Sequence, residues 1–256
     1  MTKKSYAKVN IFLKIVGKRG DYHELASRFV RVKNLFDTVH FQKGSFEEFT
    51  LEGDFGCQTR QNTMYKAYVE LSKLSSKVKN YFTTHKVVVD KKIPEFAGLG
   101  GGSSNCATFM IMVNEVCSLG LSKDRLAQIG SCIGADVPFF IYEYDSANVT
   151  GIGEIVEFFD EEPLNLTVFT PDVKCDTGKI FREFRENFYK HKDSSRIDTL
   201  LEMSSRDILR DLDINSANDL YCAASKIYKE LKPANYNLPI DTFFSGSGSS
   251  FFYITH

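Results

Sequence analysis

Near the start of the chain, Ala7, Val9, Ile11, Leu13 and Ile15 alternate with Lys8, Asn10, Phe12 and Lys14. A two-residue period is that of a half-buried strand, so residues 5–16 are expected as one long strand with Lys8 and Asn10 on its more polar face. Lys18-Arg19-Gly20-Asp21 supplies the turn that follows. Strand-like runs return at 36–42, 46–51 and 86–90. Between and after them the period lengthens. Residues 62–76 place Ala67, Leu71 and Leu74 on one side of a helix. Cys106, Phe109, Met110, Val113, Val116 and Cys117 form an apolar stripe at helical spacing, with Ser103 or Ser104 as its N-cap. A third helix, 123–133, follows Ser122 and stops at Gly134.

Phe139-Phe140-Ile141-Tyr142, after Pro138, reads as a strand, as do Leu164–Phe169 and Ser250–Thr255. The stretch 178–232 is mostly helical in pattern, with Leu220, Ala224, Ile227 and Leu231 on one face near its end. Strands and helices mix without strict βαβ alternation, so the fold class is α+β rather than a doubly wound sheet. There is no repeat, low-complexity tract or heptad array. The acidic turn Asp160-Glu161-Glu162-Pro163 is the best candidate for a domain boundary.

Composition narrows the class. A length of 256 residues suits one large domain or two closely joined ones, and 43% hydrophobic with 25% charged residues is the profile of a soluble globular protein. The net charge of −1 gives no support to a nucleic-acid binder. Six cysteines at wide, irregular intervals, with no CxxC pair, read as reduced core thiols rather than a zinc site or disulfide framework. The N-terminus lacks the unbroken apolar stretch of a signal peptide, and no apolar run approaches a membrane span, so a cytoplasmic protein is expected.

Chemistry concentrates in a few segments. Pro94-Glu95-Phe96-Ala97-Gly98-Leu99-Gly100-Gly101-Gly102-Ser103-Ser104 is a glycine-dense loop between a strand and an amphipathic helix. Glycines let a ligand approach the backbone closely, and the loop amides with the helix N-terminus form an anion site suited to nucleotide phosphates. It is not a Walker A loop, because no Gly-Lys-Ser/Thr follows. Taken alone, a glycine-dense loop is also read as a flexible turn or a glycine-rich helix cap. In Gly134-Ala135-Asp136-Val137-Pro138, the proline forces Val137 extended and holds the carboxylate rigidly enough to act as a base or bind a cation. A local turn hydrogen bond is the commoner use of such an Asp. Lys8 with Asn10, a second Gly/Ser loop at Phe244–Ser250, and Tyr22-His23 complete the set. Alone, each has an ordinary reading: a solvated lysine, a tight hairpin, a packed histidine. The other histidines, 40, 85, 191 and 256, show no metal-ligand spacing.

The joint order of these segments resembles the three signatures of the galactokinase–homoserine kinase–mevalonate kinase–phosphomevalonate kinase (GHMP) superfamily: Tyr6–Leu13, Gly98–Ser104 and Ser245–Gly248. The closer likeness is to its branch that phosphorylates a cytidine diphosphate-linked methylerythritol in the non-mevalonate route to isoprenoid precursors. Asp21-Tyr22-His23 resembles that branch's cytidine-binding turn and Gly134–Phe140 its catalytic-aspartate segment; Thr177–Phe181 and Asn218-Asp219 resemble later landmarks. Gly20 here precedes Asp21 where the family turn has glycine between Asp and Tyr, and Cys106 stands where alanine is more usual.

The resemblance implies a two-domain α+β fold: an ATP-binding domain with a mixed sheet and helices over 1–160, and an α/β-sandwich-like domain over 161–256. It implies Asp136 as the base and Lys8 as the charge-lowering catalytic partner. Pro94, Gly98, Leu99, Gly100, Gly101, Gly102, Ser103 and Ser104 would wrap the ATP phosphates, with Asn62 and Lys91 lining the adenine pocket. Asn10, Tyr22, His23, Thr177 and Phe181 would hold the substrate, His23 reading the cytosine edge between Tyr22 and Phe181. ATP and Mg²⁺ are the implied cofactors, with the metal ligands unassigned. The expected partner is the small-molecule substrate, with no nucleic acid and no membrane; a homodimer stays open. The rivals are a kinase of another small alcohol, of the homoserine or mevalonate type, and a non-catalytic metabolite sensor on the same fold. The aromatic turn argues against the first, and retention of both Lys8 and Asp136 against the second.

Overall fold

The computed structural model describes residues 1–20, 22–189 and 194–255, with the backbone alone at Tyr22, Ser194 and Ser195. In chain order the first elements are β1 (Thr2–Arg19), β2 (Tyr22–Lys43), β3 (Leu51–Glu52), α1 (Thr63–Leu74), α2 (Ser76–Tyr81), β4 (His85–Asp90), α3 (Gly101–Val116), α4 (Lys123–Ser131) and α5 (Val137–Tyr142). There follow β5 (Ser146–Thr150), β6 (Ile155–Phe158), β7 (Leu166–Phe169), α6 (Thr177–Asn187), α7 (Ser194–Glu202) and α8 (Ser205–Asp211). The chain closes with α9 (Ile214–Ala217), α10 (Tyr221–Ile227), β8 (Phe243–Phe244) and β9 (Phe251–Ile254). It divides into two compact units, one of residues 1–7, 33–93 and 100–144, the other of 8–32, 94–99 and 145–256. No helix among the described residues is long and apolar enough to cross a membrane.

In the first unit, the C-terminal part of β2 pairs antiparallel with β4, from Thr38 opposite Asp90 to Lys43 opposite His85, and β3 adds parallel to β4. The strand expected over 46–51 shrinks to β3. Phe49 is buried and its ring stacks on Tyr68 at 4.4 Å, so aromatic packing rather than alternation routes this segment. Helix α1 begins where Asn62 caps it, the side chain accepting from the Met64 amide at 2.9 Å. The apolar stripe of α3 widens into burial nearly all round, from Ser104 to Met110 with Met112 and Val113. Its N-cap is Gly100 rather than Ser103 or Ser104: Gly100 adopts φ +71°, a left-handed conformation that starts the helix three residues early. Ser122 caps α4 as expected, accepting from the Arg125 amide at 3.1 Å.

Residues 139–142 are the clearest departure, since they lie in α5 and not in a strand. A short apolar run cannot by itself be told from a buried helical turn. Pro138 sits in the first turn of α5, where a missing N–H costs nothing and the fixed φ suits a helix, so Val137 is helical rather than extended.

The second unit pairs the N-terminal part of β2 with β5, Ser27 opposite Val149 to Val30 opposite Ser146, and β5 with β6. A separate antiparallel sheet runs β7-β9-β8. Its core gathers Leu13, Ile15, Ile180, Phe184, Leu220, Ala224, Leu231, Phe244 and Phe251. Lys8 to Ile15 are buried without interruption, so β1 is covered on both faces instead of half-buried, and Lys8 and Asn10 are enclosed rather than solvated. Of the cysteines, 106, 117 and 175 are buried while 57 and 132 are exposed; all are free. Burial pushes the Cys106 and Cys175 thiols up to about 12, which makes them inert.

Candidate active site

Within the first unit two glycine-bearing turns meet. Gly100 ends the phosphate-type loop and caps α3 with no side chain, so no side-chain oxygen competes for the helix's first amides. Ser103, in the first turn, projects toward the other turn: a Cβ on Gly134 would lie 3.6 Å from its Oγ. Asp136 follows Gly134 at the N-cap position of α5, partly exposed, and makes no capping hydrogen bond there. Ser104 is turned inward. Its Oγ accepts from Ser5 Oγ at 2.8 Å and its amide donates to Gly100 O at 2.8 Å, so both groups serve the fold.

Behind this helix start lies a buried polar network. Asp37, fully buried, accepts from Lys91 Nζ at 2.5 Å, Asn105 Nδ2 at 2.9 Å and the amides of Lys92 and Ile93 at 2.6 and 2.8 Å. Lys91 Nζ also donates to Asn105 Oδ1 at 3.1 Å. The ammonium of Lys91 is thereby engaged by Asp37 and Asn105, and Asn62 is engaged as a helix cap.

The second unit brings the rest together. The Lys8 amide donates to Leu99 O at 3.0 Å, tying β1 to the glycine loop. Lys8 Nζ donates to Asn10 Oδ1 at 2.7 Å and lies 4.3 Å from the centre of the Phe29 ring. The second Gly/Ser loop packs on the first. Gly98 has φ +74°, and a Cβ there would come within 2.1 Å of Ser245 O, a contact only glycine permits. Gly246 lies close to Asn10, with Oδ1 3.4 Å from where its Cβ would be. Asn218 Nδ2 holds this loop through Phe244 O and Gly246 O, both at 2.9 Å, while Asp219 accepts from the Ile15 amide at 2.9 Å and Lys14 Nζ at 3.1 Å. Thr177, in the first turn of α6, shares a 2.7 Å hydrogen bond with Ser247 Oγ. One turn further along α6, Phe181 stacks on His23 at 5.2 Å between ring centres. Burial, with Arg185 and Lys18 adding to it, lowers the His23 pKa, so the imidazole is neutral at pH 7, with one donor and one acceptor to offer. Asp21, the Tyr22 side chain, His191 and His256 lie outside the described residues.

Residues 62–144 match the family of GHMP kinases N terminal domains. Over 255 residues the chain is 52% identical to the 4-diphosphocytidyl-2-C-methyl-D-erythritol kinase of Sulfurimonas denitrificans, an alignment covering 97% of this chain and 95% of that protein. The chain belongs to the 4-diphosphocytidyl-2-C-methyl-D-erythritol kinase family. A crystal structure of 4-(cytidine 5'-diphospho)-2C-methyl-D-erythritol kinase matches it with a TM-score of 0.77 at 27% identity, across all of this chain and 90% of that one. The mevalonate kinase of Methanococcus jannaschii, with a TM-score of 0.63 at 15% identity over all of this chain and 90% of its own, shares the fold. The expected α+β GHMP-kinase fold is therefore the one observed.

Sequence reasoning missed Ser5, Ser27, Asp37 and Asn105, which support the named residues from behind. The signal was present only in part. His23 and Ser27 share a strand parity on β2, but residues 22–35 did not read as a strand, because charged residues interrupt their apolar pattern.

Proposed function

We propose that this chain transfers the γ-phosphoryl group of ATP to the 2-hydroxyl of 4-diphosphocytidyl-2-C-methyl-D-erythritol, releasing ADP and the 2-phosphate on the non-mevalonate route to isoprenoid precursors. The observation that carries this reading is the 52% identity across nearly the whole length of both proteins. The groups that each unit offers by itself support it. Phosphoryl transfer demands alignment and charge neutralisation more than covalent chemistry by the protein. Asp136, partly exposed at the start of α5, would accept the proton of the attacking hydroxyl. Lys8, held by Asn10 and Phe29, would neutralise charge on the transferring group. The uncapped start of α3 would receive ATP phosphates. A neutral His23 beside Phe181 suits a neutral pyrimidine, whose edge needs hydrogen bonds because stacking barely distinguishes bases.

Among the described residues, no group of three His, Cys, Asp or Glu side chains could hold a metal ion. Mg²⁺ arriving on nucleotide phosphates takes only one or two protein oxygens, so it requires no such group. Ser103, in the first turn of α3 and close to the turn at Gly134, would supply one. When bound, the ion would offset the negative charge of the phosphates.

The test is ADP release by the purified protein with Mg-ATP, comparing the cytidine substrate with its cytidine-free alcohol, homoserine and mevalonate. Turnover confined to the cytidine compound is expected. Turnover of another alcohol would overturn the substrate, and ATP binding with no turnover of any would overturn the reaction.

A further inference from the structure

Ser27 is fully buried on β2, and its hydroxyl sits at the end of a chain of hydrogen bonds with a fixed direction. It donates to the carbonyl oxygen of Phe12 in a close contact. Asn10 Nδ2 donates to Ser27 Oγ at 2.9 Å, and Asn10 Oδ1 accepts from Lys8 Nζ at 2.7 Å. A backbone carbonyl can only accept, so the one hydroxyl proton of Ser27 goes to Phe12. The lone pairs left on Oγ then require a donor, which only the NH₂ end of the Asn10 amide supplies. The amide is thus turned with its carbonyl toward the Lys8 ammonium. Lys8 and Asn10 are 3% and 2% exposed, so solvent does not replace a lost partner, and a half-satisfied network here is costly.

We propose that Ser27 is a positioning residue for the reaction: it sets the orientation of the Asn10 amide and, through it, the place of the Lys8 ammonium. This rests on the role proposed above for Lys8. Without the hydroxyl, Asn10 Nδ2 loses its acceptor, the amide is anchored on the Lys8 side alone, and the positions of Oδ1 and of the ammonium it holds are no longer fixed.

The experiment is a double-mutant cycle on the full chain, with kcat and KM measured for Ser27→Ala, Asn10→Ala, the double variant and Lys8→Ala. Displacing a catalytic group by about an ångström costs up to ~10²-fold, so Ser27→Ala is expected to lower kcat by about 10- to 100-fold with the KM for ATP little changed. In the Asn10→Ala background the same substitution should change kcat less than about twofold, because the residue it acts through is gone. Equal, independent losses in both backgrounds would overturn the proposal. Ser27→Cys keeps the volume but is a poor acceptor, and covers the case in which the alanine variant does not fold. Wild-type kcat in folded Ser27→Cys would also overturn it. Lys8→Ala with wild-type kcat would remove the role given to Lys8 and overturn this proposal with it, whereas wild-type kcat in Ser27→Ala beside an impaired Lys8→Ala would overturn this proposal alone.

Discussion

Ser27 and Arg28 are neighbours on β2, both polar and both fully buried, and they serve opposite ends. Ser27 faces Asn10 and Lys8. Arg28 faces the other way and is closed in by structural partners: Asn148 Oδ1 at 2.6 Å, Leu201 O at 2.9 Å, Met203 O at 3.2 Å and the Phe159 ring at 3.3 Å. Glu161 lies 3.6 Å from it and is itself bound by Ser146 and Ser205. Burial pulls the Arg28 guanidinium down to about 10, against the pull of Glu161, yet it stays charged at pH 7. Successive strand residues point to opposite faces, so one strand serves the fold on one side and, on the proposal above, the chemistry on the other. Buried polarity alone does not mark a functional residue. What the partner is decides it.

The sharpest way to break this contrast is to remove Glu161. Breaking a buried ion pair leaves an unpaired charge, so Glu161→Ala is expected to lose about 3–5 kcal/mol in urea unfolding, with the KM values of the folded fraction unchanged. A loss below about 1 kcal/mol, or a raised KM at full stability, would erase the division between the two faces.

The same division runs through the first glycine loop. At Gly98 a Cβ would strike Ser245 O and hold a left-handed φ, so Gly98→Ala is expected to destabilise the protein by more than about 2 kcal/mol. At Gly102 the nearest atom to an added Cβ is Thr63 Oγ1 at 4.0 Å, and the residue is helical. Gly102→Ala is expected to add up to about 1 kcal/mol of stability while raising the KM for ATP, because it narrows the approach to the helix start. Equal stability effects at both positions would contradict the assignment of one glycine to the fold and the other to a ligand.

The smallest effect expected is at His23. An unfolded histidine protonates near pH 6.5, roughly its unperturbed value, whereas the folded His23 protonates lower. The unfolded chain therefore binds the proton first. The stability tied to a neutral His23 is complete above about pH 6.5 and falls as the pH drops toward the folded value. His23→Gln should flatten the stability difference between pH 7 and 5.5 relative to wild type in urea titrations. An unchanged slope would show that this ring is not held neutral by its surroundings.

Much of this was legible in the chain itself. The glycine loop, the Ser122 cap and the alternation from Ala7 to Ile15 reported local chemistry, and local chemistry is what a sequence displays. What it hid was context. The alternation in β1 promised a solvated face, yet the second unit covers that face as well. The run at 139–142 carried no period to separate helix from strand, and Pro138 decided it by its place in the first turn. Strands β5 and β6 mix polar and apolar residues around turns, and their pairing with β2 is non-local. In the site, motif residues such as Lys8, Asn10 and Phe181 could be named, but Ser27 and Asp37 could not. Their importance lies in contacts with residues far away in sequence, and nothing in their own neighbourhood announces them.

The most direct test of the account is Asp136→Ala, assayed for ADP release with the cytidine substrate and, in parallel, for ATP binding by calorimetry. Loss of the base with the phosphate cradle intact predicts turnover reduced by about 10²- to 10⁴-fold and ATP affinity little changed. Wild-type turnover in that variant would contradict the assignment of the base.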